Sequence, residues 1–200
     1  MVGVIKKYKK PDKKPYIVDK IHKVKKNKEK NYLIEKNNDQ EIKLTEPYFA
    51  NYFPIQSIAT KTIGLMGLNK EKEFRAIQNE KDLITVIRSG IPKNAMTNMM
   101  NIANLSLVEM ADIIHTTDRT LRRYSDTEKL SIDQSERIVE LARLYARGEE
   151  VFDNLNNFRE WMDCKLMVLG NKKPKEYLDT CIGINLLIEE LGKIENGIFA

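Results

Sequence analysis

Five side chains suited to contacts with nucleic acid lie within eight consecutive residues, at positions 116–123. They are Thr116, Thr117, Arg119, Arg122 and Arg123. Arginine can pair with the acceptor edge of guanine in the major groove, and a threonine hydroxyl can reach a phosphate or a base. An aspartate at position 118 would repel phosphate. The cluster predicts a DNA-reading surface, and a scaffold that serves only structure or dimerisation is the alternative.

The elements that would carry these side chains have the layout of a helix-turn-helix. Ser106 and Glu109 have the spacing of a capping box, which predicts the start of a first helix. Thr117 then caps a second helix, whose early residues face base edges in this motif. The turn position before it is usually Gly, because the chain needs a positive φ there. Here it is His115, which adopts that conformation at some cost.

Helical signals continue on both sides of this motif. On the N-terminal side, Phe74, Ile77, Ile84 and Ile87 lie at helical spacings, and Gly90 follows as a stop. Strand-like alternation is nearly absent after residue 60. Further helix starts are predicted at Pro92, Ser131, Asn154 and Pro174, with a last helix over about residues 183–195.

We therefore predict an all-α fold in which a helix-turn-helix domain, residues 71–130, precedes a small helical domain, residues 131–200. Residues 1–70 are predicted to be a basic, poorly ordered extension. Residues 1–60 hold 14 Lys and no Arg against 7 acidic residues, whereas residues 131–200 carry a net charge of −4. The basic end would attract phosphate, and the acidic end suits a protein partner better than DNA.

The sequence offers little for enzymatic or metal chemistry. Cys164 and Cys181 lack metal-ligand spacing, and the two histidines, His22 and His115, lie far apart. We find no Gly-rich phosphate loop and no carboxylate cluster of the metal-binding type. We therefore expect a protein that is not an enzyme and has no catalytic residue, metal or cofactor. The sequence shows neither a signal peptide nor an apolar run that approaches the roughly 18 residues of a membrane span, so we expect a cytoplasmic location.

The C-terminal third, residues 136–200, resembles the Xre/MbcA/ParS-type antitoxin family. The landmarks are EEVF at 149–152, REWM at 159–162, LG at 169–170, YLDT at 177–180 and GKIENGIFA at 192–200. The segment VIRSGIP at 86–92 is similar to the family's entry into its helix-turn-helix part, so the resemblance covers about residues 80–200. The chain departs from the family at His115, in place of Gly, and at Lys173, where a capping Thr is usual before Pro174.

The resemblance implies an antitoxin of a bacterial type II toxin–antitoxin pair. The usual partner is a RES-domain toxin, which consumes NAD or uses it to ADP-ribosylate a target. The C-terminal domain, residues 131–200, would lie against the toxin, and its end would block the toxin's NAD pocket. The helix-turn-helix half would form a homodimer and bind the operator DNA of its own operon. The alternative is a free-standing transcriptional regulator whose C-terminal domain serves dimerisation or sensing.

The end of the chain is the predicted toxin-binding element. The glycine at 197 can end the last helix, so that the next two residues project as an apolar plug. The charged residues and the terminal carboxylate would face complementary charges in the NAD pocket. The alternative is that the apolar residues cover the antitoxin's own core. The candidate toxin-binding residues are Lys193, Glu195, Asn196, Gly197, Ile198, Phe199 and Ala200.

Two further groups of residues in the C-terminal third allow more than one interpretation. Trp161 at helical spacing from Phe158 favours a core position, although tryptophan is also frequent in interface hot spots. The same ambiguity holds for Leu166, Leu169, Tyr177 and Leu178. We expect a solvated helix face for Arg143, Arg147, Glu149 and Glu150, and contacts at the rim of an interface are the alternative.

Overall fold

A computed structural model describes residues 57–198, and within this range all regular structure is helical. The predicted all-α fold is confirmed. The expected poor order of the basic extension, residues 1–70, falls mostly on residues 1–56, which lie outside the described residues. It is wrong for Ile58–Leu65, which form a helix with Ala59 and Ile63 buried. Four short 3-10 turns accompany the helices, at Leu68–Lys70, Lys72–Phe74, Met167–Leu169 and Pro174–Tyr177. The helices are α1 (Ile58–Leu65), α2 (Glu80–Ser89), α3 (Lys93–Ala103), α4 (Leu107–Ile113), α5 (Asp118–Arg123), α6 (Ile132–Phe152), α7 (Leu155–Asp163) and α8 (Cys181–Glu195).

Side-chain caps fix where most of these helices begin. Ser106 and Ser131 form complete capping boxes at α4 and α6, Thr117 caps α5 and Asn154 caps α7, as predicted. Each cap accepts a hydrogen bond from a backbone N–H that the first helical turn leaves without a partner. The last helix begins two residues earlier than expected, because Thr180 caps it. Local hydrogen bonding therefore sets the register of the helices that carry the candidate sites.

The helical spacing of Phe74, Ile77, Ile84 and Ile87 does not correspond to a single helix. Phe74 belongs to a separate 3-10 turn, and α2 begins only after the capping residue Asn79. This start turns Leu83 and Val86 inward, whereas Ile84 is 48% exposed. Gly90 does end α2, with a φ of 74°. The helix start, rather than the spacing of the isoleucines, decides which face is buried.

The long helix α6 is the centre of the described structure. It packs against α1, α2, α3, α7 and α8, so it bridges the helix-turn-helix region and the C-terminal helices. Its core side chains include Ile138, Leu141, Ala142 and Tyr145, all of which are buried. One helix thus contributes to both predicted domains, and the boundary between them at residue 130 stays a prediction.

Charged residues on α6 connect neighbouring helices instead of forming the solvated face that was expected. Arg143 bridges to Glu80 of α2 at 3.1 Å and to Glu140 at 2.7 Å. Glu150 bonds Lys61 of α1 at 3.0 Å and Arg147 at 3.2 Å. The α6 side chains of these pairs are half-buried, so the expected solvated face is wrong. Their ion pairs are screened less than pairs on an open surface.

Candidate DNA-reading and toxin-binding surfaces

The helix-turn-helix predicted at residues 106–125 forms through α4, a tight turn and α5. Ala111 of α4 and Leu121 of α5 are buried, and the small Ala111 side chain leaves room for the helices to approach. The turn residue His115 has a φ of 54°, the left-handed value that the motif requires. The turn is closed by a hydrogen bond from the Thr116 N–H to the Ala111 carbonyl, at 2.9 Å.

Most of the predicted DNA-reading residues lie on the solvent side of this motif. Thr117, Arg119, Arg122 and Arg123 are exposed and Thr116 is half-buried. The Thr117 hydroxyl accepts the N–H of the residue three positions on at 3.1 Å, so its capping role is structural. Arg122 lies 3.4 Å from the carboxylate of the aspartate at 118, one helical turn earlier. This exposed pair reduces the repulsion that the aspartate would exert on phosphate.

The side chain of His115 reaches the C-terminal helices, a contact that the sequence did not predict. Its Nε2 lies 2.9 Å from the carbonyl oxygen of Asp179, just before α8. Arg137 of α6 donates to the same oxygen at 3.2 Å and to the Ile113 carbonyl at 3.4 Å. The turn of the helix-turn-helix is therefore attached directly to the segment that begins α8. A glycine at this position has no side chain to make the contact.

The end of α8 has the geometry of a Schellman motif. Gly197 adopts a φ of 71°, and its N–H donates to the Ile194 carbonyl at 3.1 Å. The Ile198 N–H donates to the Lys193 carbonyl at 2.9 Å. Such bonds satisfy carbonyls that the last turn of a helix leaves without partners. The Ile198 side chain is 62% exposed. Phe199 and Ala200 lie outside the described residues.

The two charged candidates near this end are engaged within the chain. Glu195 forms an ion pair with Arg147 of α6, which ties the last turn of α8 to the central helix. Lys193 lies 2.5 Å from Glu190, and this hydrogen bond raises the pKa of Lys193 above its usual value. Glu190 is buried. Asn196 donates from its side chain to the Gly192 carbonyl at 2.8 Å.

The predicted core position of Trp161 is confirmed. It is buried with Phe158, and their ring centroids lie 5.7 Å apart in a stacked arrangement. Leu169 and Leu178 are also buried, whereas Leu166 and Tyr177 are half-buried. The strongly exposed apolar side chains of this region lie elsewhere. They are Met167, Val168, Ile182 and Ile198.

Within residues 57–198, no group of three or more His, Cys, Asp or Glu side chains could hold a metal ion. The helices of this range are also too short or too polar to cross a membrane. A cleft with a volume of about 350 Å³ lies beside the turn of the helix-turn-helix and the start of α6. Its lining is largely polar, with His115, Asp133, Glu136 and Arg137 among the contributors.

Two family models match consecutive parts of the chain. An antitoxin Xre-like helix-turn-helix domain matches residues 82–143, and an antitoxin Xre/MbcA/ParS C-terminal toxin-binding domain matches residues 147–197. The two together span more than half of the chain. The chain belongs to the Xre/MbcA/ParS-type antitoxin family. The resemblance seen in the sequence is thereby confirmed, and this antitoxin carries both a helix-turn-helix and a toxin-binding domain.

Two curated relatives agree with this assignment. The chain is 26% identical over 129 residues to the "Prs ADP-ribosylating antitoxin" of Sphingobium sp. (strain YBL2), covering 60% of this chain and 81% of the relative. It is 27% identical over 121 residues to "Antitoxin Xre" of Photorhabdus laumondii subsp. laumondii, covering 58% of this chain and 80% of the relative. Both relatives are antitoxins. That this antitoxin lacks catalytic activity of its own stays a prediction.

Proposed function

We propose that this antitoxin neutralises a RES-type toxin by placing its C-terminal tail in the toxin's NAD pocket. The partner is a protein that consumes NAD or transfers ADP-ribose from it. Residues 193–200 form the inserted element, and the rest of the toxin-binding domain provides the docking surface. One relative bears ADP-ribosylation in its name, which is in keeping with a partner that uses NAD.

The observation that carries this proposal is the exposed Ile198 immediately after the glycine that ends α8. Apolar side chains at a chain end are most stable when they are buried, and 62% of this one remains in water. The Schellman turn holds the Ile198 backbone through the Lys193 carbonyl, so the position of this residue is defined before any toxin is bound. A preorganised residue loses less conformational entropy on binding than a mobile one.

Two charged residues near the end of α8 would exchange their ion-pair partners when the tail is inserted. Glu195 is paired with Arg147, and Lys193 is paired with Glu190. In the proposed complex, Glu195 faces cationic groups that otherwise receive NAD phosphates. Lys193 meets an acidic residue of the pocket. Because both side chains lie on the last turns of α8, they can change partners by side-chain rotation while the helix stays in place.

We also propose that a homodimer of this antitoxin represses its own operon through the helix-turn-helix. The exposed Arg119, Arg122 and Arg123 on α5 supply the contacts with operator DNA. Two copies would present two such helices to successive turns of the major groove. The matched toxin-binding domain favours this combined role over that of a free-standing regulator with a sensing domain.

The test is neutralisation in cells that express the protein encoded by the adjacent gene, with intracellular NAD and growth as readouts. We expect the full-length chain to preserve both and a chain ending at Asn196 to preserve neither. This truncation keeps α8 and the Arg147–Glu195 pair, so it is milder than shortening the helix. Equal protection by both chains would contradict the role of the tail. Protection by neither chain would contradict the choice of toxin.

A further inference from the structure

We infer that the loop of residues 165–172 is a second toxin-docking element. Its exposed apolar side chain packs on an apolar part of the toxin surface, and the basic side chains on either side of it face acidic residues at the edge of that surface. The inference rests on the proposed toxin partner and extends it to a site separate from the C-terminal tail. The loop lies inside the matched toxin-binding domain, residues 147–197. Its exposed residues were not among the sequence-based candidates.

The loop is closed by hydrogen bonds at its base. Leu166 and Lys172 form an antiparallel bridge, with the Leu166 N–H donating to the Lys172 carbonyl at 3.1 Å. The Asn171 N–H donates back to the Leu166 carbonyl at 2.9 Å. Gly170 and Asn171 both adopt left-handed φ values, 66° and 62°, which reverse the chain within two residues. The loop is therefore a turn of defined geometry.

The loop is also anchored to the body of the protein. Leu169 is buried, and its carbonyl accepts a hydrogen bond from the Tyr177 hydroxyl at 2.9 Å. The Lys172 ammonium lies 5.9 Å from the centre of the Tyr177 ring. Because Leu169 is inserted in the core, the two residues that precede it face outward. Met167 is 88% exposed and Val168 is 48% exposed.

Rigid presentation of an exposed methionine favours a binding role. A methionine on a mobile loop can fold against nearby apolar surface, whereas the anchored loop keeps this one in water. Methionine side chains adapt to irregular apolar surfaces, and they are enriched in the cores of protein interfaces. A fixed backbone lowers the entropy that binding must overcome.

Charge indicates the kind of surface that fits the loop. Residues 164–175 contain four lysines and no acidic residue, although residues 131–200 as a whole carry a net charge of −4. Asp163 pairs with Lys175 at 2.6 Å and lies 4.0 Å from Lys173. Lys165 and Lys172, at the two ends of the loop, are exposed. An apolar tip between two ammonium groups complements an apolar depression with carboxylates at its edge.

The test compares the exposed apolar residues of the loop with an exposed apolar residue outside the toxin-binding domain. The protein encoded by the adjacent gene is titrated calorimetrically with the full-length antitoxin carrying Met167→Ala and Val168→Ser. Loss of a central interface contact of this kind is expected to raise Kd by about 10- to 100-fold. The matched control is Ile84→Ser, because Ile84 is also 48% exposed but lies on α2, outside the toxin-binding domain. We expect the control to change Kd by less than about threefold.

Two further variants separate the possible roles of the loop. Met167→Leu keeps apolar volume and should retain most of the affinity. Lys165→Glu with Lys172→Glu should slow association and weaken its salt dependence. Unchanged melting temperature of each variant in circular dichroism shows that the fold is intact.

The outcomes distinguish this inference from the proposed function. If the unaltered chain does not bind the adjacent gene product, the choice of toxin is wrong. If the unaltered chain binds and the Met167→Ala, Val168→Ser variant binds equally well, only the loop inference is overturned. It is also overturned if that variant instead loses affinity for DNA, or if it dissociates the antitoxin's own oligomer in sedimentation, while toxin affinity is kept.

Discussion

A methyl group added at Gly183 should destabilise the packing at the start of α8, the helix that carries the C-terminal tail. A Cβ atom built there would lie 2.0 Å from the Tyr177 carbonyl oxygen and 2.9 Å from the Thr180 hydroxyl oxygen. Ordinary carbon–oxygen contacts are about 3.3 Å or longer, so the start of α8 or the turn at 174–177 must move by roughly 1 Å. The obstacle at 2.0 Å is a backbone atom, which cannot move away as a flexible side chain can.

The magnitude follows from two opposing effects. Overpacking of this kind costs about 1–3 kcal/mol, and the backbone contact places this site at the upper end of that range. Alanine is favoured over glycine within a helix by about 1 kcal/mol. We therefore expect Gly183→Ala to lower the free energy of unfolding by about 2 kcal/mol. For a chain of this size, that corresponds to a fall in melting temperature of roughly 4–8 °C.

Gly192 provides the matched control within the same helix. A Cβ atom at Gly192 would meet no atom within 4 Å, leaving out its chain neighbours and the helix's own backbone. Gly192→Ala should therefore show only the propensity gain, and raise the melting temperature by roughly 2–4 °C. The assay is thermal unfolding followed by far-UV circular dichroism. A Gly183→Ala variant that melts at or above the melting temperature of the unaltered chain would show that the expected clash with the Tyr177 carbonyl does not destabilise the protein.

Three further predictions concern the helix-turn-helix. A hydrogen bond from the backbone N–H of Ser106, the cap of α4, holds the pKa of Glu109 below its usual 4.5. The stabilising effect of Glu109 is therefore present above that pH and is lost as pH falls through the lowered pKa. Glu109→Gln should thus lower stability in neutral urea titrations and make little difference in acid; an equal effect at both pH values would contradict this. Arg119→Ala with Arg122→Ala should weaken operator binding in fluorescence anisotropy at least about 10-fold and leave toxin affinity unchanged, and parallel loss of both would argue against separate surfaces. In the His115→Asn variant, asparagine tolerates the positive φ but is too short to reach the Asp179 carbonyl. The free energy of unfolding from denaturant titration should therefore fall by about 0.5–1.5 kcal/mol. An unchanged midpoint would show that the contact contributes nothing to stability.

Local signals were the part of the fold that the sequence predicted well. Ser106, Thr117, Ser131 and Asn154 were identified as caps because a cap depends on residues within three or four positions. The need for a positive φ at His115 was likewise evident from its place in the motif. Such features involve short-range hydrogen bonds and backbone sterics, which a single sequence contains in full.

Features that depend on distant residues were missed. The helical spacing of Phe74 and the isoleucines did not indicate the buried face of α2, because the phase of this helix depends on where Asn79 starts it. The pair between Arg147 and Glu195 joins residues 48 positions apart, and no local pattern connects them. The exposure of Met167 depends on a loop anchored by Tyr177. Of the tail candidates, Ile198 is exposed as expected, whereas the pairing of Glu195 required the folded chain.

NAD consumption by the purified product of the adjacent gene, held in complex with this antitoxin, shows whether the C-terminal tail blocks the NAD pocket. The comparison is between the full-length chain and the chain that ends at Asn196, each at a concentration at which calorimetry shows the complex to be formed. We expect the full-length complex to be inactive and the truncated complex to consume NAD while it stays assembled. A truncated complex that is assembled and equally inactive would contradict the claim that residues 197–200 block the NAD pocket.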